Sequence, residues 1–258
     1  MQNCEKSEKS RGIVSIAFNT NTTDYISIAE QTLKLASHTL GLPYTLITET
    51  DRLYTNNRYD VDTQEFVQWN NAGRYLAYEK SPYDETLVID ADYLVLDKNL
   101  LKIFDIDFDY LLLKNARGLT QQFPDTMGVF GLRYVWATVF AFRKTHKSDL
   151  FFDMVKRVQK NYEYYRNLFN IEQRNYRNDY AFAIAEIILN GYATDSAKIP
   201  GVMINVDQPI TDLQLCTHSL IVRDERQAYV LPKTNLHVMA KAYLQTDKFR
   251  EFVKHVTT

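Results

Sequence analysis

The hydrophobic and polar positions of the first fifty residues predict two strands with a helix between them. Gly12–Phe18 is an apolar run that predicts a first, central strand, and Asn19–Asp24 is a polar loop rich in helix-capping residues. Tyr25–Leu40 carries apolar residues at helical spacing, and Gly41 ends the predicted helix. Tyr44–Thr48 predicts the second strand.

The pattern continues to a third strand. Residues 49–64 are predicted as a loop, and Glu65–Glu79 is predicted as a second helix. The turn Ser81–Asp84 leads into an apolar run that predicts a buried strand ending at Asp90. Two βα units followed by a strand are typical of an α/β protein with a Rossmann-like sheet and flanking helices.

The second half of the chain is less regular. Two strands are predicted at Asp109–Leu113 and Trp136–Phe142, and a long helix is predicted from Ser148, with apolar residues at helical period from 151 to 169. A further helix is predicted over Asp179–Asn190. Asn178 is its expected cap and Gly191 its stop. Short strand-like pieces follow at Val202–Asn205, Leu220–Val222 and Ala228–Leu231, before a basic and aromatic terminal segment.

No internal repeat or linker interrupts this pattern. We therefore expect a flexible tail at residues 1–11 and a single domain from 12 to 258. The net charge of −2 provides no global basic field to attract nucleic acid or an anionic membrane. The cysteines are Cys4 and Cys216, so a disulfide framework is not expected. No apolar run approaches the roughly 20 residues of a membrane span, and a cytoplasmic location is the expectation.

The pair Asp90 and Asp92 is the most informative feature of the chain. Residues two apart on an extended strand point to the same side, with Cα atoms roughly 6–7 Å apart, so two carboxylates there repel unless a positive group lies between them. Oxygen ligands on a stiff element suit Mg²⁺ or Mn²⁺, which also binds phosphate oxygens. A rival cluster at Asp105–Asp109 precedes its apolar run. Ligands of open α/β sheets bind at the carboxyl ends of strands, which favours Asp90 and Asp92.

These residues resemble those of a known enzyme class. The run Tyr83–Asp92 is similar to the stretch that leads into the metal motif of GT-A nucleotide-sugar glycosyltransferases. Within that class it most resembles the family that contains glycogenin and the bacterial lipopolysaccharide galactosyltransferases, called family eight. The resemblance extends from residue 12 to about residue 241 and implies a GT-A-like mixed sheet in a single domain. It also implies that Asp90 and Asp92 hold Mn²⁺ or Mg²⁺ against the diphosphate of the sugar donor.

The resemblance implies further donor and metal contacts. Arg74 matches a basic residue that touches the donor, and the first loop, which includes Asn19 and Tyr25, resembles a nucleotide loop whose aromatic residue stacks on the base. Leu236–Lys241 is similar to the family's His-x-x-Gly-x-x-Lys motif, although the glycine is absent and the spacing is shorter by two. By this likeness His237 is a third metal ligand and Lys241 a phosphate contact.

The expected reaction is transfer of a sugar from a nucleotide-diphosphate donor, with a UDP-sugar expected, to an acceptor hydroxyl. Asp92 binds the metal most directly in this hypothesis, and the metal neutralises charge on the leaving diphosphate. Asp179 is the candidate for holding the acceptor near the anomeric carbon, since the family has an acidic or amide group at a similar place. The resemblance also implies retention of the anomeric configuration.

Other functions remain open at this point. A sugar-nucleotidyltransferase shares the sheet and the paired carboxylates, but it opens with a glycine-rich loop that residues 19–24 lack. A non-catalytic nucleotide-sugar binder is a further alternative. The acceptor is expected to be a glycan or a small molecule. Residues 155–178 interleave basic and tyrosine side chains, which can contact a nucleic-acid backbone and stack on bases. Since some GT-A-like enzymes of phages glycosylate modified DNA bases, the resemblance implies a modified base of phage DNA as an alternative acceptor.

Overall fold

The computed structural model describes residues 9–50, 53–60, 62–129, 131–191 and 198–258. The strands within these ranges are β1 (Arg11–Ile16), β2 (Tyr44–Ile47), β3 (Leu53–Asp60), β4 (Glu65–Ala72), β5 (Glu85–Ile89), β6 (Tyr93–Leu94), β7 (Tyr110–Leu113), β8 (Ala116–Gly118), β9 (Thr126–Met127), β10 (Leu132–Arg133), β11 (Trp136–Arg143), β12 (Met203–Val206), β13 (Asp212–Leu215), β14 (Ser219–Arg223), β15 (Ala228–Pro232) and β16 (Leu236–Val238). The helices are α1 (Tyr25–Leu40), α2 (Leu76–Lys80), α3 (His146–Lys160), α4 (Tyr162–Leu168), α5 (Asn178–Leu189), α6 (Lys241–Leu244) and α7 (Asp247–Thr257), with a 3₁₀ helix at Asn99–Asp105.

The central sheet is mixed and has the strand order β2-β1-β5-β11-β7. Strands β1, β2 and β5 are parallel, while β11 runs antiparallel to both of its neighbours. The carboxyl ends of β1 and β5 therefore meet the amino end of β11 at one edge of the sheet. The predicted α/β class, a mixed sheet with flanking helices, is confirmed.

Alternating side chains bury both faces of this sheet. Val14, Val88 and Phe140 pack on one face together with residues of α3 and α5. Ile13 and Leu87 point to the other face, where residues of α1 and the 3₁₀ helix cover them. This two-sided burial is typical of parallel strands that read as continuous apolar runs, and it keeps the sheet edge rigid beneath the candidate site.

A second sheet, in the order β6-β16-β12-β8, brings the C-terminal part of the chain against the end of β5. His237 of β16 pairs with Tyr93 of β6 and with Asn205 of β12. The backbone N–H of Val238 donates to the carbonyl oxygen of Asp92 over 3.0 Å. These pairings fix a histidine from late in the chain beside the Asp90–Asp92 turn.

The predicted helix over Glu65–Glu79 is wrong, and so is the predicted loop before it. β3 and β4 form an antiparallel hairpin over much of both segments, and α2 occupies only the last part. The side chain of Asp60 accepts hydrogen bonds from the backbone N–H groups of Asp62 and Thr63 at 3.0 and 2.9 Å, and Gln64 adopts φ 59°. The local turn and the aromatic and β-branched residues around it favour a hairpin over a helix.

Other predicted helices agree with the structure to different degrees. α1 has the predicted bounds, and Gly41 follows it at φ 67°. The long helix predicted from Ser148 is two helices, because the chain leaves helical geometry at Asn161 (φ −124°, ψ 37°). Asn178 is the first residue of α5 and not its cap, since its side chain accepts from the backbone N–H of Arg74 and from the Tyr176 hydroxyl, at 3.1 and 2.8 Å.

The start of the chain is described only from residue 9. Residues 1–8 of the predicted flexible tail, including Cys4, lie outside the described residues. Ser10 belongs to the folded part, because its backbone N–H and its hydroxyl donate to the Asp84 carboxylate at 2.9 and 2.8 Å. No helix in the described part of the chain has the length and apolar character needed to cross a membrane.

Candidate metal and donor site

Asp90, Asp92 and His237 form one cluster at the carboxyl end of β5. Each offers a ligand atom, and these atoms all lie within 4.8 Å of one another. The backbone N–H of Asp90 donates to the Thr138 carbonyl of β11 over 2.9 Å, which holds the turn against the neighbouring strand. A rigid sheet edge thus presents two carboxylates and an imidazole to the same point.

Hydrogen bonding defines which nitrogen of His237 faces the carboxylates. Nδ1 lies 2.6 Å from the side-chain oxygen of Asn205, and an amide oxygen only accepts, so Nδ1 carries the proton. The amide nitrogen of Asn205 contacts the sulfur of Met239 at 3.3 Å, in agreement with this orientation. Nε2 lies 3.3 Å from Asp92 Oδ1, and two electron-rich atoms at that distance need a proton or a metal ion between them. A hydrogen-bonded second nitrogen of this kind is typical of metal-ligating histidines.

Two basic side chains balance the carboxylates. Arg74 forms an ion pair with Asp90, and the Lys241 ammonium forms one with Asp92 while donating to the Val238 carbonyl over 2.7 Å. Lys241 is 3% exposed. Burial alone would raise the pKa of Asp92, but the charges of Lys241 and His237 outweigh it and hold that pKa well below its usual range. Burial raises the pKa of Asp90 to about 6, with Arg74 opposing the rise and Asp92 adding to it.

The donor set fits a divalent ion. Carboxylate oxygens favour Mg²⁺ or Mn²⁺, and an imidazole nitrogen favours a transition-metal ion over Mg²⁺. Nε2 of His237 lies 3.3 Å from an oxygen of Asp92, a separation that two ligands of one ion can have. Asp90, Asp92 and His237 would hold the ion, and Asn205 would fix the histidine tautomer.

A cavity of about 470 Å³ opens over the cluster. One flank is formed by residues 16–18 at the end of β1 together with Tyr25 of α1. The other flank is formed by residues 136–138 at the start of β11 and by residues 173, 175–179. A metal ion at the base of this cavity would lie between these two flanks.

The remaining predicted donor residues occupy different places. Arg74 and Tyr25 line the cavity, and Tyr25 is largely buried. Asn19 and Lys241 are not among the described residues that line it. The Asn19 side-chain oxygen accepts from the backbone N–H of Ile26 over 2.9 Å, so it helps to start α1, and Lys241 lies beneath the cluster on Asp92.

Asp179, the predicted acceptor-side acid, also lines the cavity. Its Oδ1 accepts from the backbone N–H of Ala137 over 2.9 Å, and its Oδ2 lies 3.2 Å from the Arg177 guanidinium. Its charge contributes to the raised pKa of Asp90. The structure therefore brings Asp179 near the cluster, with both oxygens held by neighbouring groups.

The rival acidic cluster lies elsewhere. Asp107 is fully exposed and lies 2.9 Å from the Arg143 guanidinium, and Asp109 accepts from the Thr145 hydroxyl over 2.7 Å. Neither residue lines the cavity. Asp107 and Asp109 thus make contacts at the surface around the start of β7. Asp107 can therefore serve as a control position for substitutions in the cluster of Asp90, Asp92 and His237.

The basic and aromatic stretch at residues 155–178 divides between core and surface. Tyr162 and Tyr176 are buried, whereas Tyr164 is exposed. Lys156 pairs with Glu79 at 2.6 Å, and Arg166 with Glu163 at the same distance. Two of the basic side chains of this stretch are therefore paired with acids, and two of its tyrosines belong to the core.

Sequence reasoning missed several residues around the cavity. Asn205 is the partner that orients His237, and residues 57, 59 and 66 of the β3–β4 hairpin line the cavity. The hairpin residues were hidden by the wrong loop and helix predictions. Asn205 lies at the end of a predicted strand, but its pairing with β16 joins segments about thirty residues apart and leaves no local signal.

The metal-free chain should become more stable when the pH falls from about 7 to about 5. The pKa of Asp90, about 6, exceeds the roughly 3.9 of an unfolded aspartate, so the folded state binds the proton more tightly. The stability gained is complete below about pH 4 and is lost as the pH rises through about 6. The lowered pKa of Asp92 changes the stability of the chain only below about pH 4, so Asp92 does not contribute to the change between pH 7 and pH 5.

Urea unfolding in EDTA at the two pH values measures this gain. Asp90→Asn is the matched variant and should show a smaller gain, because it lacks the titrating group. An equal gain in the variant would assign the pH dependence to other residues.

Comparison with known proteins gives only weak matches. No protein-family model matches the chain, and no curated protein matches it. Among solved structures, the apo-form glycosyltransferase GlyE of Streptococcus pneumoniae matches at 14% identity and TM-score 0.38 over 72% of this chain, which spans 44% of that protein.

Two further matches have a similar strength. A glycosyltransferase involved in glycosylation of the major capsid of PBCV-1 matches at 16% identity and TM-score 0.34, over 78% of this chain and 82% of that one. A Drosophila β1,4-galactosyltransferase 7 mutant complexed with manganese, UDP-Gal and xylobiose matches at 9% identity and TM-score 0.33, over 91% and 98% of the two chains. An inositol-1-phosphate CTP transferase of T. maritima scores as well, at 8% identity and TM-score 0.34. Scores at this level do not assign a function to the chain.

Proposed function

We propose that this chain transfers a sugar from a nucleotide-diphosphate donor to an acceptor hydroxyl with the help of a divalent cation. The observation that supports the proposal is the cluster of Asp90, Asp92 and His237 at the end of β5, at the base of a cavity. A divalent ion bound there would neutralise charge on the leaving diphosphate.

The side chains around the cluster have matching roles in this proposal. Asp90 and Asp92 hold the ion together with His237, whose Nδ1–H bond to Asn205 keeps Nε2 available. Arg74, on the cavity wall beside Asp90, adds positive charge where the donor phosphates bind. Lys241 neutralises Asp92 from below, and its proposed phosphate contact requires the ammonium to turn away from that carboxylate.

The nucleotide is assigned to the flank formed by the end of β1. Tyr25 and residues 16–18 line that side, and Asn19 holds the start of α1. A UDP-sugar is the expected donor and retention the expected stereochemistry, both from the likeness of the sequence motifs to family eight. NMR of the product anomer, followed from the first turnovers, distinguishes retention from inversion.

Thermal stability with a panel of nucleoside diphosphates and nucleotide sugars, each with Mn²⁺ and with EDTA, tests the proposal. A ligand at about 100 times its dissociation constant adds about 2.7 kcal/mol, or roughly 5 to 10 °C for a chain of this size. The expected result is a shift that needs both the nucleotide and Mn²⁺. Asp107→Asn should retain it, because Asp107 is remote from the cavity. If none of the nucleotides or nucleotide sugars raised the thermal stability, that result would contradict the proposal.

Asp179→Ala should lower turnover while leaving donor affinity unchanged. Asp179 lies on the cavity flank opposite the proposed nucleotide side, and it is bonded to the backbone of Ala137. Steady-state kinetics and donor-induced thermal shifts measure the two quantities separately. Asp179→Asn keeps an acceptor for the Ala137 N–H and so separates the structural bond from the charge. A weaker donor shift in Asp179→Ala would remove this residue from the acceptor side.

A further inference from the structure

The β3–β4 hairpin presents an aromatic pair to the cavity. Tyr59 and Phe66 are directly opposed across the two strands, with ring centroids 5.7 Å apart at 71°. Both line the cavity, yet Tyr59 is 48% exposed and Phe66 75% exposed. Asn57, two residues before Tyr59 on the same strand face, also lines the cavity. One face of the hairpin therefore forms an open part of the cavity wall.

Two contacts hold this face over the cavity. The Asn175 side chain donates to the carbonyl oxygen of Asn57 over 3.5 Å, which joins the hairpin to the flank that carries Asp179. The Asp62 carboxylate at the hairpin tip accepts from the backbone N–H of Ala242 over 2.9 Å, next to Lys241. The hairpin thus lies beside the acceptor side of the proposed reaction and is tied to the segment beneath the metal cluster.

The hairpin face is aromatic, while the adjoining flank carries both amides and charges. Besides the two rings, the cavity has the amides of Asn57, Gln173 and Asn175 here, with Arg177 and Asp179 farther along the same flank. Aromatic rings have a negative face that packs against C–H bonds, and amides both donate to and accept from hydroxyls. A pyranose ring offers both kinds of group.

We propose that Tyr59 and Phe66 form the platform on which a neutral pyranose ring of the acceptor stacks, so that the acceptor is a glycan. This inference rests on the proposed function and adds the acceptor class to it. A cross-strand aromatic pair also stabilises a hairpin, so the test must separate a structural role from a binding role.

The experiment compares ring-removing with ring-keeping variants. Tyr59→Ala and Phe66→Val remove a ring, and valine keeps a high strand propensity. Tyr59→Phe and Phe66→Tyr keep the rings. Each protein is assayed with the nucleotide sugar that gives the largest thermal shift, with maltose, lactose, cellobiose and methyl pyranosides as acceptors. Donor hydrolysis without an acceptor and the donor-induced thermal shift are measured in parallel.

The expected result is a rise of about tenfold in the acceptor KM for Tyr59→Ala and Phe66→Val. Donor hydrolysis and the donor-induced shift should be unchanged, and the ring-keeping variants should behave as wild type. An unchanged acceptor KM, or a lost donor shift in the ring-removing variants alone, would overturn the inference. Donor hydrolysis without transfer to any pyranose would also overturn it. Absence of any donor shift in the wild-type protein would instead contradict the proposed function, and the inference would fall with it.

Discussion

Replacing Asp92 with asparagine should lower the free energy of unfolding by about 3 to 5 kcal/mol, because it removes a carboxylate that is paired with a buried ammonium. Lys241 is 3% exposed and forms an ion pair with Asp92. Its ammonium also donates to the Val238 carbonyl, which is a neutral group. Urea unfolding of the metal-free protein measures the loss.

The double variant Asp92→Asn with Lys241→Met is the control. Replacement of a whole buried ion pair by an apolar group is often neutral, so the double variant should recover most of the lost stability. It then provides a folded protein without the Asp92 ligand for metal-binding studies. Wild-type stability of the single variant would show that Lys241 does not depend on Asp92. Equal instability of both variants would assign the loss to His237 or to the turn itself.

Replacing His237 with alanine should weaken Mn²⁺ binding by more than the roughly 10- to 100-fold that loss of a supporting hydrogen bond to a metal ligand causes. Asn205→Ala removes that supporting bond and should fall within the range, because Nδ1 of His237 then loses its acceptor. Isothermal titration with Mn²⁺ in the presence of the nucleoside diphosphate gives both affinities. We specifically expect His237→Ala to weaken Mn²⁺ binding more than Asn205→Ala does.

Equal Mn²⁺ affinity in wild type and His237→Ala would contradict metal ligation by the histidine. His237 would then be a packed residue whose Nε2 carries a proton toward Asp92. Asn205→Ala would in that case affect stability alone, which the same unfolding assay detects. The two readouts therefore separate a ligand from a buried structural histidine.

The sequence predicted those parts of the fold in which local pattern and tertiary packing agree. α1 has an apolar stripe, a capping aspartate at position 24 and a glycine stop, and its bounds were predicted correctly. Asp90 and Asp92 were singled out as candidate metal ligands because a buried strand leads directly into them. The hairpin at β3–β4 was missed because residues 49–64 were predicted as a loop and Glu65–Glu79 as a helix, whereas the turn bonds of Asp60 and cross-strand pairing fix the structure.

The candidate site could be predicted only where its residues lie close together in the sequence. β16 is three residues long, too short for any period, and its pairing with β6 and β12 brings His237 to Asp92 from more than one hundred residues away. Resemblance to a motif suggested His237 and Lys241, but no pattern indicated that the lysine would be buried against Asp92. The aromatic wall of the cavity depends on the hairpin and had no sequence signal of its own.

The most direct test of a metal–diphosphate site is an Mn²⁺ titration followed by electron paramagnetic resonance, in which the signal of free Mn²⁺ falls as the ion binds. The protein would be titrated alone and with UDP, GDP, ADP or CDP. We predict that one ion binds per chain with at least one of these nucleotides, and that His237→Ala and the Asp92→Asn, Lys241→Met double variant lose this binding. A free Mn²⁺ signal that is unchanged with every nucleotide, or binding that survives in both variants, would contradict a metal–diphosphate site at Asp90, Asp92 and His237.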